Sequence, residues 1–208
     1  LTKLIMQSFS EIDTTSKRAS KAAGFAWGVA EEVGKNMRNL EMFGLPGVKN
    51  LNLYLKKIKK NPSEKPKKIK KKNKPQFKEL CPIYCGTAFL DNCKNLESLK
   101  LIKFFNVSYP LLLLPFLSRA SDIIGKKISV KYEKNNFLLN FDKTIFSNVN
   151  NYKTISKAKE ISIEFLKNNN SFSFKEWKEL YRLSEETFVK ETESLKKKGA
   201  GAGLTDND

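Results

Sequence analysis

Three groups of residues in this 208-residue chain have types and spacings that could do chemistry. The first is the closing block Gly199-Ala200-Gly201-Ala202-Gly203-Leu204-Thr205-Asp206-Asn207-Asp208. Glycines alternating with alanines reach positive φ and let the main chain approach another surface closely, while Thr205 and Asp206 supply oxygens. Such a block would bind through backbone at Gly199, Gly201 and Gly203; its plainer reading is a frayed terminus. The second group is Cys81-Pro82-Ile83-Tyr84-Cys85-Gly86, where Pro82 restricts Cys81 to extended backbone and Gly86 permits a tight approach. A nucleophilic Cys81 would need a lysine or a helix N-terminus to form thiolate, and otherwise it is a buried structural thiol. The third is Gly24-Phe25-Ala26-Trp27-Gly28 with Glu31 and Glu32. Paired carboxylates beside an aromatic could bind a cation or carry a proton, whereas the plainer reading has Trp27 packing a helical bundle and the acids favoured by the helix dipole.

Composition removes many reaction classes. The chain has no histidine and three cysteines, Cys81, Cys85 and Cys93. That excludes Ser-His-Asp and Cys-His catalysis and every His-dependent zinc, iron or copper site. The thiol spacing matches no four-ligand zinc site, so no metal site is expected, and no motif names a cofactor. An odd thiol count without a signal-peptide pattern leads to the expectation of a reducing cytoplasm. The longest apolar run, Val107 to Leu117, holds two prolines and is far shorter than the roughly 20 residues of a membrane helix, so no membrane partner is expected. The chain opens on Leu1 rather than Met, and residues 1–6 carry none of the argument.

Charge is unevenly placed. Of a formal +17, the window Lys56 to Lys78 holds +11, from twelve lysines against the single acid Glu64. With Pro62, Pro66 and Pro75 and almost no large apolar residue, this window reads as a flexible loop. No aromatic interrupts the lysines before Phe77, so the stacking platform of a single-strand binder is missing, and a solvated loop is preferred to a nucleic-acid arm.

The elements that would position these groups follow from periodicity. Ser8 and Glu11 have capping-box spacing, and Phe9, Ile12, Ser16, Ala19 and Ala23 follow at helical intervals until Gly24. A second helix places Val29, Val33, Met37 and Leu40 on one face and ends at Gly44-Leu45-Pro46-Gly47; a third, Val48 to about Lys60, buries Leu51, Leu55 and Ile58. Glu31 and Glu32 at the start of the second helix would repel phosphate, which argues against a DNA-binding helix pair. Leu99 to Phe105 reads as a strand, and Ile128 to Tyr132 and Phe137 to Phe141 as a hairpin turning at Asn135-Asn136. Ile161, Ile163 and Phe165 make another strand, and Pro110 to Asp122 stays open between a buried helix and a strand. Ser173 and Glu176 repeat the capping box and open a helix with Trp177, Leu180, Tyr181, Ser184 and Phe188 on one face.

The expected architecture is α+β, with an N-terminal helical bundle, an antiparallel sheet core and a closing helix with a Gly-rich tail. Its parts are a helical region 1–60, a flexible Lys-rich loop 61–78, an α+β core with closing helix 79–198, and a Gly/Ala/Asp tail 199–208.

The blocks Ala23-Gly24 to Glu31-Glu32, Gly44-Leu45-Pro46-Gly47, Cys81-Pro82, Pro110 to Phe116 and the closing ten residues together resemble a bacterial family catalogued as a domain of unknown function. The resemblance spans nearly the whole chain and is most specific in the closing block. It implies that the tail is a family feature and that the lysine window is a local elaboration; it carries over no activity, cofactor or catalytic residue. The leading expectation is a cytoplasmic protein that binds or transforms a small anionic metabolite near Cys81 and Glu31 or Glu32. Ligand contacts would come from Trp27, Gly199, Gly201, Gly203, Thr205 and Asp206. The alternative is a non-catalytic interaction or assembly module whose tail docks into a protein partner or a second copy. Nucleic-acid binding through the lysine loop comes last.

Overall fold

In a computed structural model that describes residues 7–140 and 142–187, α1 (Phe9–Ala22) opens on the expected capping box. Ser8 Oγ accepts the Glu11 N–H at 3.2 Å and the Glu11 carboxylate accepts the Ser8 N–H at 2.8 Å. Gly24, at φ 97°, ends the helix by taking a conformation that side chains resist. The next helices are α2 (Trp27–Met42), which buries Ala30, Val33, Met37 and Leu40, and α3 (Gly47–Lys60), which buries Leu51, Tyr54 and Leu55. Ile58 is half-buried and packs against the edge of the core, and Tyr54, one turn after Leu51, adds to the buried face.

The six-stranded sheet has the order β1-β2-β6-β3-β4-β5 and is antiparallel except at β1. Its strands are β1 (Lys72–Asn73), β2 (Leu101–Ser108), β3 (Ile128–Tyr132), β4 (Asn135–Leu139), β5 (Ile145–Ser147) and β6 (Lys157–Phe165). Ile102 and Phe104 on β2, Ile161 and Ile163 on β6, and Ile128 and Val130 on β3 are all fully buried, which is the period-two signature of a sheet with one covered face. The fold is α+β, as expected.

One local expectation needs correction, one segment left open is resolved, and one helix was not anticipated. The hairpin turns at Glu133-Lys134, with Glu133 at φ 51°, and the Asn pair belongs to β4, because Tyr132 lies opposite Asn135. Pro110 to Asp122 is helical: a single-turn 3-10 stretch, Pro110–Leu113, runs into α5 (Leu114–Ile124), which packs on α4, β3 and β4. The largest omission is α4 (Pro82–Leu96). It buries Ile83, Cys85, Gly86, Phe89, Cys93 and Leu96, and its exposed polar residues, Asp91, Asn92, Lys94 and Asn95, are confined to its C-terminal half, so its first turns lack the polar contrast that makes a helix visible by period. Pro82 at its first position was the available signal.

Residues 61–78, expected as a flexible Lys-rich loop, have regular structure only at β1, yet their course is pinned at several points. Ile69 is buried. Asn73, also buried, donates to the carbonyls of Lys70 at 2.7 Å and Lys103 at 3.1 Å. Lys72 and Asn73 pair with Lys103 and Phe104, and after an excursion through 74–79 Leu80 rejoins the edge beside Val107.

The chain divides into units of residues 1–168 and 169–208. In the second, α6 (Phe174–Ser184) starts on the expected Ser173–Glu176 capping box, and Phe172 stacks on Trp177 with ring centroids 5.5 Å apart. Phe188 and the block 199–208 lie outside the described residues. No described helix is long and apolar enough to cross a membrane.

Candidate functional site

Cys81 stands where the lysine-rich segment meets α4. Its N–H donates to the Glu64 carbonyl at 2.8 Å, its backbone is extended at φ −72°, ψ 119°, and Pro82 begins the helix, so Cys81 is the N-cap. In that role its sulfur accepts the Tyr84 N–H at 3.4 Å and, from across the core, the hydroxyl of Tyr54 at 2.8 Å. Gly86 makes the tight approach its position suggested: a Cβ there would lie 2.9 Å from the Cβ of Phe116 on α5 and closer still to the ring.

These constraints leave a cleft of about 250 Å³ whose walls include Gly24, Phe25, Tyr54, Lys65, Cys81 and Tyr84. Phe25 and Tyr84 meet with ring centroids 5.4 Å apart, and the Lys65 ammonium sits 4.1 Å from the centroid of the Tyr84 ring. Tyr54 and Cys81 are almost fully buried, whereas Lys65 is exposed. The cleft thus runs from a cationic rim to an apolar floor. Burial pushes the Cys81 thiol up, with the Tyr54 hydrogen bond opposing it, and burial also pushes the Tyr54 hydroxyl up. Cys81 is therefore a neutral thiol and a poor nucleophile at pH 7. The site suits an anion attached to an apolar or aromatic body.

A polar cluster lies next to this floor. The Tyr109 ring meets Tyr54 edge-on at 5.9 Å, and the Lys57 ammonium is 5.9 Å from the Tyr109 centroid. Lys57 and Ser108 Oγ both donate to the Glu79 carboxylate, Lys57 also reaches Ser108 Oγ at 3.2 Å, and Lys157 stands 3.8 Å from Glu79. Burial raises the Glu79 carboxyl, but these hydrogen bonds and charges outweigh it and hold the group below its ordinary value. Ser108 is fully buried with its proton committed to Glu79. The cluster therefore fastens α3 to β2 and is not a nucleophile waiting for substrate.

The other sequence candidates fall elsewhere. Trp27 is 56% exposed on the first turn of α2 with the Lys21 ammonium 5.3 Å from its ring, so it does not pack the bundle. Glu31 is exposed; Glu32 is paired with Arg119 on α5 and, at 3.1 Å, with Lys35. None of the three lines the Cys81 cleft, because the Ala26 N-cap directs the chain from Gly24-Phe25, which do line it, into a helix whose next turns face α5. Gly199, Gly201, Gly203, Thr205 and Asp206 lie outside the described residues. Among the described residues no group of three or more Cys, Asp and Glu side chains is placed to hold a metal ion. Sequence reasoning missed Tyr54 and Lys65 as site residues. Tyr54 could have been found from its spacing to Leu51; Lys65 was indistinguishable from its eleven lysine neighbours.

Neither a curated protein nor a solved structure matches the chain. Residues 7–81 match a family model. The matched span runs through the lysine-rich segment, which the resemblance had set apart, and closes on Cys81. Over residues 7–81, from α1 to the thiol at the floor of the cleft, the chain is thus similar to the family described as Protein of unknown function (DUF3726).

Proposed function

We propose that this protein binds a small anionic molecule with an apolar or aromatic body in the Cys81 cleft, Lys65 holding the anion while Phe25, Tyr54 and Tyr84 hold the body. The observation that carries the reading is the Lys65 ammonium 4.1 Å from the Tyr84 ring centroid, at the rim of a cleft whose inner polar groups are already hydrogen-bonded to each other. A cation held over an aromatic face is partly desolvated and pre-positioned, so less side-chain freedom is lost when an anion arrives. The neutral Cys81 thiol and the absence of histidine support binding over covalent turnover. Glu31 and Glu32 have no part in it, since Glu32 is engaged by Arg119 and Lys35.

The test is thermal unfolding of the full chain, of Lys65→Ala and of a version ending at Lys198, each against a panel of aromatic and aliphatic carboxylates and phosphates. A ligand present at 100 times its Kd stabilises by about 2.7 kcal/mol, which raises the Tm of a chain this size by roughly 5–11 °C. The rise is expected in the full chain and should be mostly lost in Lys65→Ala. A ligand that shifts the full chain but not the Lys198 version would place residues 199–208 in the site. If no anion shifts the full chain, or Lys65→Ala responds equally, the reading is wrong.

A further inference from the structure

We propose that a second cleft, beside β1, binds the phosphate backbone of single-stranded nucleic acid. It has a volume of about 560 Å³, and its walls carry Lys65, Lys67, Lys68, Lys70, Lys72 and Lys74. All six are exposed. A disordered run would spread these charges through solvent, but here the β1–β2 pairing, buried Ile69 and the Asn73 hydrogen bonds gather them around one concavity. Lysines at an exposed sheet edge also discourage strand pairing, yet five of the six lie outside β1, so edge protection does not account for them.

Glu64 supplies the decisive arrangement. It is the single acid on the cleft wall, and its carboxylate accepts the N–H groups of Gln76 at 2.7 Å, Phe77 at 2.7 Å and Lys78 at 2.5 Å. These hydrogen bonds hold the carboxyl below its ordinary value and fold residues 76–78 back to the beginning of the lysine segment. In the linear sequence the one aromatic of the lysine window, Phe77, comes at its far end; in the fold, Phe77 stands 92% exposed immediately beside Gln76, which lines the cleft. A cationic groove next to a free aromatic face is the pairing that holds a strand's phosphates and stacks one of its bases. Lysine ammonium groups read charge without the forked geometry that reads bases, so recognition is sequence-tolerant. Concavity favours a narrow strand over the plane of an anionic bilayer.

The experiment is fluorescence anisotropy of fluorescein-labelled 12-residue oligothymidylate with the full chain between 50 and 200 mM NaCl. With about five phosphates contacted, log Kd should change with log salt at a slope of about 3.5, a roughly 100-fold weakening across that range. The triple variant Lys67→Glu/Lys68→Glu/Lys70→Glu should bind at least tenfold more weakly with a slope lower by about 2, and Phe77→Ala should lose about tenfold with the slope unchanged. A control of equal charge, Lys127→Glu/Lys131→Glu/Lys134→Glu, reverses exposed lysines on and around β3 and should retain most of the affinity and slope. Circular dichroism melting confirms that each variant folds. The proposal is overturned if the full chain does not bind at 50 mM NaCl, if the control loses as much as the cleft triple, or if phosphatidylserine vesicles are bound and the oligonucleotide is not. Tyr84→Ala separates the two sites, since it should abolish small-anion stabilisation through the Cys81 cleft and change oligonucleotide affinity less than about twofold, Lys65 being the one lysine the two clefts share.

Discussion

Replacing Gly86 by alanine adds one methyl group at the point where α4 and α5 come closest, and its cost can be worked from the geometry. The new Cβ would lie 2.9 Å from the Phe116 Cβ and nearer still to Cγ and Cδ2 of the ring. Phe116 is 1% exposed and is flanked on α5 by Leu114 and Leu117, both fully buried, so the ring has no vacant volume to turn into and the helices must separate. Forced overpacking of this kind costs about 1–3 kcal/mol, and a clash with the base of a rigid side chain belongs near the upper end. Alanine recovers about 1 kcal/mol of helix propensity over glycine, leaving a net loss of about 2 kcal/mol. For a chain of this length that lowers Tm by about 4–8 °C. Gly28→Ala is the control: its Cβ meets nothing within 4 Å and it lies in the first turn of α2, so only part of the propensity gain remains and Tm should stay level or rise slightly. In a Phe116→Ala background the Gly86→Ala penalty should fall below about 1 kcal/mol, since the two side chains couple directly. Differential scanning calorimetry reads the parent and all four variants. A Gly86→Ala protein that melts at or above the parent, or that loses as much in the Phe116→Ala background, refutes the close-approach argument.

Other expected outcomes concern the polar groups. Because Glu79 is held below its ordinary pKa of 4.5, its contribution is present at neutral pH and is lost as pH falls below 4.5 through the folded-state value. The Tm difference between parent and Glu79→Gln should therefore shrink as pH falls below 4.5; a difference independent of pH would show that the Lys57–Glu79–Ser108 network is electrostatically inert. Tyr54→Phe removes the hydroxyl that opposes the effect of burial on Cys81, so the pH–rate profile for alkylating that thiol should move to higher pH, and an unchanged profile would remove this hydrogen bond from the site. Lys100 is exposed and adopts φ 59°, ψ −48°, a strained backbone for a residue with a side chain. Lys100→Gly should raise stability by about 1 kcal/mol and Tm by about 2–4 °C, and a lower Tm would contradict the strain.

Local patterns in the sequence were sufficient where neighbouring residues alone decide the outcome. Both capping boxes, at Ser8–Glu11 and Ser173–Glu176, form as their spacing requires, because a cap is closed by residues three apart. The alternation Ile161-x-Ile163 became a central strand for the same reason, since period two reports one covered face. Pro82 and Gly86 also behaved as their chemistry demands, one fixing Cys81 as an N-cap and the other admitting a partner helix. α4 stayed hidden because its first half is almost wholly apolar and its exposed polar residues, Asp91, Asn92, Lys94 and Asn95, come only near its end, and periodicity is informative only where a polar face provides contrast.

The candidate sites depended on contacts between distant residues, which local patterns do not encode. Tyr54 reaches Cys81 across 27 positions, and Glu64 captures the amides of residues 76–78 from 12 to 14 positions away. Composition had placed Lys65 in a solvated run with Phe77 at its far end; tertiary structure seats Lys65 on Tyr84 and ties the Phe77 backbone to Glu64 on the cleft wall. It likewise pairs Glu32 with Arg119, away from the Cys81 cleft. The sequence by itself determined which charges and rings exist, which reactions a chain without histidine cannot perform, and those helices and strands whose caps or periods are local. Only the tertiary structure decided which charges are neutralised, which rings stay free and which residues share a cleft, because those outcomes depend on long-range packing that sets burial and distance.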